Sequence, residues 1–344
     1  MHMMAAQLGQ GAPPVDAAGN PAAQLRAPLS APHRFTLRVP ATSANLGPGY
    51  DTLGLALELR DEIDVTASPR QQDSEPRVDV VVVGEGAQSL PTDASHLLVT
   101  VTEEILAAKG YHLPDLQVRA TNVIPHSRGL GSSAAAIAAA VTTADQLIPG
   151  GLSDDEKLQI GSRIEGHPDN YAPALRGSVA VSWSTGEPHD LVFHTAPLTP
   201  HPRISTVVAV PDFVQSTQAA RDVLPARIGH QQAARNSSRA ALLVHALTTD
   251  PDLLMEATED FLHQEYRRSA FPASMGLVDS LRAAGHPAVI SGAGPAVLVL
   301  TDSAHIDAVI THIDDATSAR AAGDTFIARN LPITASGVTV EVPR

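Results

Sequence analysis

The sequence contains no cysteine and only two lysines among its 344 residues. Without cysteine the chain has no disulfide bond, thiolate metal site or cysteine nucleophile, which fits a reducing cytoplasm. Neither Lys109 nor Lys157 follows a glycine, so the GxxxxGK[ST] phosphate-binding pattern is absent. The HRD and DFG segments of protein kinases are absent as well. These absences exclude the two commonest lysine-based sites for a nucleoside triphosphate, the P-loop and the protein kinase site.

Basic charge and long apolar runs are also scarce. The 37 acidic residues outnumber the 23 basic ones and leave a net charge of −14. Nucleic acid and anionic membranes require a basic surface, so neither is expected as the principal partner. No run of about 18 apolar residues occurs, which predicts that no segment spans a membrane. Residues 1–30 lack the basic and apolar regions of a signal peptide, so we expect a disordered tail and a cytoplasmic protein.

Local patterns in the remaining sequence predict a mixture of strands and helices. Alternating or continuous apolar residues predict strands at 34–39, 61–67, 77–84, 113–125, 177–183 and 205–211, and a strand pair around a turn at 288–301. Apolar residues at helical spacing predict a helix at 94–109, and alanine content predicts one at 132–147. Further helices are predicted at 154–165, 231–247 and 251–267. Ser153 and Glu156 have the capping-box spacing before the helix at 154–165.

The order of these elements predicts the fold class. Residues 40–59 are interpreted as a turn-rich loop between two strands. Strands and helices do not alternate evenly along the chain, which favours an α+β protein over a doubly wound α/β protein. Prolines cluster at 190–204, so we place a domain boundary between residues 195 and 196.

A glycine-rich loop, "RGLGSSAAAIAAAV", runs directly into a predicted helix. Gly129 and Gly131 let the backbone adopt positive φ and approach a ligand closely, and a helix start offers free N–H groups. Such a site binds anions without lysine. Ser132 and Ser133 add hydroxyls that suit phosphate oxygens or a divalent cation. The alternative is that Ser132 only caps an alanine-rich helix.

Three further polar clusters each allow a functional and a structural interpretation. Asn45 and Asp51 lie in a loop that either binds a small polar substrate or forms a structural Asx/Gly turn. Ser291–Pro295 either presents amides to a carboxylate or phosphate or is a tight β-turn. In "EGHPDN", Glu165 is a hard oxygen ligand suited to Mg²⁺. The polar residues that follow Glu165 are His167, Asp169 and Asn170. They either orient a hydroxyl nucleophile or form a polar helix end.

In this order, the four segments resemble the motifs of the GHMP kinase superfamily, which includes galactokinases, homoserine kinases and mevalonate kinases. The resemblance covers residues 34–335. "PATSANLGPGYDTLGLAL" is similar to motif 1 of the homoserine kinases, "PHSRGLGSSAAA" to the shared phosphate-binding motif 2, and "ISGAGPAV" to motif 3. "VQSTQAARDVLP" and "LHQEYRRSAFP" resemble the homoserine kinase segments that carry substrate-binding arginines, here Arg221 and Arg267.

The resemblance implies a two-domain GHMP kinase fold. Residues 31–195 would form an ATP-binding domain like the second domain of ribosomal protein S5. Residues 196–344 would form a ferredoxin-like domain. The active site is expected between them, where ligand clefts commonly form. A homodimer is implied by the family alone.

The resemblance also implies a role for each site residue. The nucleotide site is expected at Pro125, Arg128, Gly129, Leu130, Gly131, Ser132 and Ser133, with Mg²⁺ held by Ser133 and Glu165. The amino-acid site is expected at Asn45, Asp51, Arg221, Arg267 and Gly292. Asn170, Asp169 and His167 would orient the attacking hydroxyl. Either Asp169 or the γ-phosphate accepts its proton.

The paired charges indicate which acceptor fits best. An arginine fork suits a carboxylate, and Asp51 suits an ammonium group. Homoserine carries both groups, whereas mevalonate has no ammonium. The expected activity is therefore ATP-dependent phosphorylation of homoserine. Another GHMP kinase, such as a mevalonate kinase, and a non-catalytic sensor with the same fold remain alternatives.

Overall fold

The computed structural model describes residues 25–71, 74–213, 217–318 and 325–343. Residues 1–24 of the predicted tail, 1–30, lie outside the described residues. Within the described ranges, no helix is long and apolar enough to cross a membrane.

Two sheets divide the described chain into two domains. The first sheet has the strand order β11-β1-β2-β4-β3, with β5 added beside β2 and β6 beside β5. The second has the order β10-β7-β9-β8. The strands are β1 His33–Ala44, β2 Leu53–Ser68, β3 Val78–Gly84, β4 Asp115–Asn122, β5 Val179–Thr185, β6 Val192–Leu198, β7 Ile204–Pro211, β8 Ala288–Ile290, β9 Val297–Asp302, β10 Phe326–Asn330 and β11 Thr339–Glu341.

Helices cover both sheets. The helices are α1 Leu97–Ala108, α2 Ser132–Leu147, α3 Asp154–Glu165, α4 Pro168–Arg176, α5 Thr217–Asp222, α6 His230–Thr248, α7 Leu254–Ala257, α8 Pro272–Ala283 and α9 Ile306–Ser318, with short 3₁₀ turns at Pro251–Leu253 and Glu265–Arg267. The predicted α+β class is confirmed. The predicted capping box is present, since the Ser153 side chain accepts from the Glu156 amide and the Glu156 side chain accepts from the Ser153 amide.

The alanine-rich helix α2 lies at the centre of the first domain. Its alanines are almost all buried, including Ala134, Ala138 and Ala140, each 0% exposed. Small side chains let α2 approach α1, α4 and β1 closely. The alanine run therefore serves packing as well as helix formation, and this packing fixes the start of α2 beside the loop that follows β1.

The second domain has ferredoxin-like topology. Its elements follow the order strand, helix, strand, strand, helix, strand through β7, α8, β8, β9, α9 and β10, and its strand pairs are antiparallel. Helices α5, α6 and α7 are inserted between β7 and α8. This insertion carries both arginine segments. Residues 214–216 of the first segment lie outside the described chain.

Three predicted elements differ from the structure. The loop predicted at 40–59 is limited to 45–52, because Ala41 to Ala44 pair with Leu57 to Gly54. The helix predicted at 251–267 is broken, since the Asp260 carboxylate accepts hydrogen bonds from the amides of residues 262, 263 and 264. Helix α4 was not predicted, although Pro168 stands at its first turn and Gly177 at its end.

The chain crosses between the two sheets twice. It leaves the first sheet after β6 at residue 198, so the boundary predicted between 195 and 196 falls inside that strand. The segment after β10 then returns to the first domain. There Thr334 donates its amide to Ala56 O at 3.0 Å, and Arg60 Nη1 donates to Gly337 O at 2.9 Å. Strand β11 completes the edge beside β1.

Candidate active site

A cleft of about 740 Å³, including its open mouth, lies where loops of the two domains meet. The predicted residues that line it are Asn45, Asp51, Gly129, Leu130, Gly131, Ser132, Ser133, Glu165, His167, Asp169, Asn170, Arg221, Arg267 and Gly292. Segments far apart in sequence therefore converge on one site.

The glycine-rich loop presents the uncapped start of α2 to this cleft. Gly131 is the N-cap residue, with φ 68°, and no side chain caps the helix. The alternative that Ser132 caps the helix is therefore wrong, because Ser132 is already in the first turn. The first-turn amides and the positive end of the helix dipole are left to face a ligand.

Close packing, as well as a positive φ, requires glycine at positions 129 and 131. A Cβ on Gly129 would lie 2.3 Å from Ser291 O, and one on Gly131 would lie 1.9 Å from Thr42 Oγ1. The Ser291 hydroxyl is 2.6 Å from Gly129 O and 2.8 Å from Ser43 Oγ. The glycine-rich loop and the Ser291–Pro295 turn thus pack against each other and against the end of β1.

Asn45 and Asp51 hold the first loop in an uncommon backbone conformation. Asn45 has φ 67° and Asp51 has φ 52°, in the left-handed region that Asn and Asp tolerate better than most residues. The Asn45 amide donates to Gly292 O at 2.8 Å and accepts from the Asp51 amide at 3.0 Å. Asn45 therefore ties the first loop to the Ser291–Pro295 turn and orients Asp51.

The cleft contains opposite charges. Arg221 Nη2 lies 3.3 Å from Asp51 Oδ1, and both side chains are 37% exposed. Burial, followed by the charge of Asp169, raises the pKa of Asp51, while Arg221 opposes the shift. Arg267 is 1% exposed and donates from Nε to Ala220 O at 2.8 Å. Burial lowers the pKa of Arg267 from its usual value.

Ser133 and Glu165 form a hydrogen-bonded pair that also lines the cleft. Ser133 Oγ donates to Glu165 Oε2 at 2.9 Å. Burial raises the pKa of Glu165, against the charge of His167 and the bond from Ser133. Among the described residues, no group of three or more His, Cys, Asp and Glu residues could hold a metal alone. One carboxylate and one hydroxyl fit Mg²⁺, which commonly takes its other ligands from phosphates and water.

The segment "EGHPDN" is a junction between two helices and not a simple polar helix end. α3 ends at Gly166, and His167 precedes α4. Asp169 Oδ1 contacts His167 Nδ1 and accepts from the Asn170 amide at 3.0 Å. Although burial lowers the pKa of His167, the bond and charge of Asp169 outweigh it, so the net shift is upward. Thr42 Oγ1 donates to Asn170 Oδ1 at 2.9 Å, which leaves Asn170 Nδ2 for a ligand oxygen.

Two predicted nucleotide-site residues, Pro125 and Arg128, do not line the cleft. Arg128 Nε instead donates to Pro211 O at 2.9 Å, so it links the first domain to the end of β7. Ser127 and Ala293 also line the cleft. Ala293 belongs to the candidate turn Ser291–Pro295, whereas Ser127 was not predicted as a site residue. Ser127 lies in the motif 2 segment, two residues before Gly129, so that motif could have indicated it.

The fold and this cleft define a kinase of the GHMP superfamily. Residues 96–178 match the family described as GHMP kinases N terminal domain. Residues 240–318 match the family described as GHMP kinases C terminal. The two matched regions contain α2, the Ser133–Glu165 pair and Arg267.

Comparison with whole proteins gives a narrower assignment. The chain is 46% identical over 307 residues to a homoserine kinase of Streptomyces avermitilis, with 88% of this chain and 94% of that protein covered. It is 47% identical over 273 residues to one of Corynebacterium aurimucosum, covering 78% and 86%. A crystal structure of homoserine kinase from Cytophaga hutchinsonii has the same fold, with TM-score 0.77, 23% identity and coverage of 90% and 98%. The chain belongs to the homoserine kinase family.

Proposed function

We propose that this enzyme transfers the γ-phosphoryl group of ATP to the side-chain hydroxyl of L-homoserine, giving O-phospho-L-homoserine and ADP. The observation that carries this proposal is the pairing of Asp51 with Arg221 in the cleft that also contains the start of α2. Homoserine has an ammonium group for Asp51 and a carboxylate for the arginines. Family membership supports the same acceptor.

The triphosphate is assigned to the glycine-rich loop. The amides from Gly129 to Ser133 would bind phosphate oxygens, and the N-terminal end of α2 favours their negative charge. Ser133 and Glu165 would hold Mg²⁺, which neutralises charge on the transferring phosphoryl group. Pro125 and Arg128 lie outside the cleft, so we assign them to holding the loop.

The amino acid is assigned to the opposite side of the cleft. Asp51 would bind its ammonium group, and Arg221 and Arg267 its carboxylate. Asn45 and Gly292, which are hydrogen-bonded to one another, would line the amino-acid site. Binding both charged groups on the α-carbon directs the side-chain hydroxyl toward the γ-phosphate, and such positioning supplies much of the acceleration in phosphoryl transfer.

Asn170 is assigned to the attacking hydroxyl, with Asp169 and His167 behind it. The Thr42 bond orients the Asn170 amide so that its Nδ2 group can donate. Asp169 is 1% exposed and already hydrogen-bonded to the His167 ring and the Asn170 amide. The proton goes either to Asp169 or to the phosphate itself. Near-normal turnover in Asp169→Asn would eliminate Asp169 as the base.

The test is ADP release with Mg·ATP and, separately, L-homoserine, mevalonate, galactose or no acceptor. We expect turnover with homoserine and its loss in Arg221→Ala. Arg203→Ala is the matched control, because Arg203 is an exposed surface residue paired with Asp252. Activity on a different alcohol would keep the kinase and refute the substrate. ATP binding without turnover on any acceptor would favour the sensor alternative.

Two further expectations, on cellular location and oligomeric state, accompany this proposal. We propose a cytoplasmic location, which agrees with a chain that contains no cysteine. We also propose a homodimer, which sedimentation equilibrium would test by giving twice the chain mass of 35.9 kDa.

A further inference from the structure

His263 is buried behind the cleft and makes two side-chain hydrogen bonds. Its side chain is 0% exposed. His263 Nδ1 is 2.9 Å from Arg267 Nη1, and Nε2 is 2.8 Å from Gly47 O. A guanidinium only donates and a carbonyl only accepts. The ring is therefore neutral, with its hydrogen on Nε2 and its acceptor at Nδ1.

These two bonds connect the proposed carboxylate clamp to the first loop. Arg267 Nε is already held by Ala220 O at 2.8 Å, and His263 holds Nη1. Two fixed points on a planar guanidinium set its orientation. Within the described part of the chain, the remaining group, Nη2, makes no hydrogen bond. Ala220 directly precedes Arg221, so the same contacts relate the two arginines. On its other side, His263 holds the loop that carries Asp51.

We propose that His263 is a positioning residue, which orients the Arg267 guanidinium toward the substrate carboxylate and couples it to the loop that carries Asp51. This inference rests on the proposed function, because it assigns Arg267 to a carboxylate. His263 touches no reacting atom, since it does not line the cleft and contacts Arg267, which does.

The surroundings of His263 explain why an imidazole suits this position. A protonated ring would direct a hydrogen at the Arg267 guanidinium, and both groups would carry positive charge. The Asp260 carboxylate lies 3.6 Å from His263 Nε2 and is held by three backbone amides, so it balances the charge of Arg267. The Tyr50 ring lies 5.2 Å from the His263 ring and 5.7 Å from the Arg267 guanidinium and covers the pair.

The two hydrogen bonds of His263 can be removed separately. The amide of glutamine can replace Nε2 of the imidazole ring, whereas the amide of asparagine can replace Nδ1. In His263→Gln, the side-chain nitrogen can occupy the place of Nε2 and donate to Gly47, but the acceptor for Arg267 is lost. In His263→Asn, the side-chain oxygen can occupy the place of Nδ1 and accept from Arg267, but the bond to Gly47 is lost. The pair of variants therefore separates the arginine contact from the loop contact.

The test compares kcat/KM for L-homoserine with kcat/KM for 3-aminopropan-1-ol, which has the same hydroxyl and amine but no carboxylate. We expect His263→Gln to lower the ratio of the two values about tenfold, as for loss of one hydrogen bond to a charged group. His263→Asn should keep the ratio close to that of the wild-type enzyme. His245→Gln, at an exposed position on α6, is the control and should match the wild type.

Each outcome decides the proposal. A ratio that is unchanged in a folded His263→Gln enzyme overturns the positioning role, even if both rates fall together. If His263→Gln does not fold, a ratio that falls in His263→Asn overturns it as well. Failure of the wild-type enzyme to phosphorylate homoserine overturns the proposed function and this inference together. Normal homoserine turnover with an unchanged ratio overturns the inference alone.

Discussion

Replacing Gly131 with alanine tests whether the start of α2 must lie against the end of β1. Gly131 has φ 68°, where a Cβ costs about 1 to 2 kcal/mol. That Cβ would also lie 1.9 Å from Thr42 Oγ1, so the hydroxyl must move and lose its 2.9 Å bond to Asn170. Loss of that bond adds about 1 kcal/mol. We expect the free energy of unfolding to fall by about 2 to 3 kcal/mol in total.

Activity should fall further than stability alone explains. The Gly131 change displaces both the helix amides assigned to phosphate and the Asn170 amide assigned to the acceptor. A misplacement of about 1 Å costs about 100-fold in rate. The assays are urea denaturation and ADP release at saturating substrates. Gly150→Ala is the matched control, because Gly150 has φ 87° but nothing within 4 Å of the added Cβ. It should lose stability with unchanged turnover.

A double mutant supplies the result that would refute this reasoning. Thr42→Ala removes the oxygen that the new Cβ would meet. The cost of Gly131→Ala should therefore be smaller in the Thr42→Ala background than in the wild-type enzyme, by about 1 kcal/mol or more. Strictly additive effects on stability and turnover would mean that the contact does not limit residue 131.

Three further predictions concern charge in and behind the cleft. Glu165→Gln should raise the Mg²⁺ concentration for half-maximal turnover about tenfold while the chain stays folded, since a neutral amide suits burial; an unchanged Mg²⁺ titration would contradict the assignment. Asp51→Asn should raise the KM for homoserine about tenfold and leave the KM for ATP unchanged, and an equal rise in both would contradict it. Burial lowers the pKa of His263 from its ordinary 6.5, so the unfolded chain binds a proton there more readily than the folded chain. The free energy of unfolding should therefore fall as the pH drops below about 6.5, less steeply in His263→Gln, and equal slopes in denaturant titrations would contradict this.

Local sequence signals predicted the elements that local chemistry determines. The bounds of α2 and α3 agree with the predictions because alanine propensity and the capping box act within a few residues. The helix predicted at 251–267 failed because the Asp260 side chain competes for backbone amides, which helical spacing does not reveal. The pairing of β11 with β1 in the first sheet also carried no local signal, since the two strands lie hundreds of residues apart in the sequence.

The cleft was predictable chiefly through motifs. Isolated loops of Gly, Ser and Asn left structural alternatives open, and the family resemblance brought the loops into one prediction. The contacts that hold these loops together were not predictable in this way. Thr42 and His263 make side-chain bonds to Asn170, Gly47 and Arg267 that depend on three-dimensional proximity.

The return of the chain to its first sheet also affects how the protein is made. Arg38 on β1 bonds to Glu341 on β11, which is 303 positions later. At about 5 to 20 residues per second, a ribosome needs on the order of 15 to 60 seconds to synthesise the intervening chain. During that time β1 is an open sheet edge, which can pair with another nascent chain. The charged side chain of Arg38 on this edge opposes such pairing until β11 arrives.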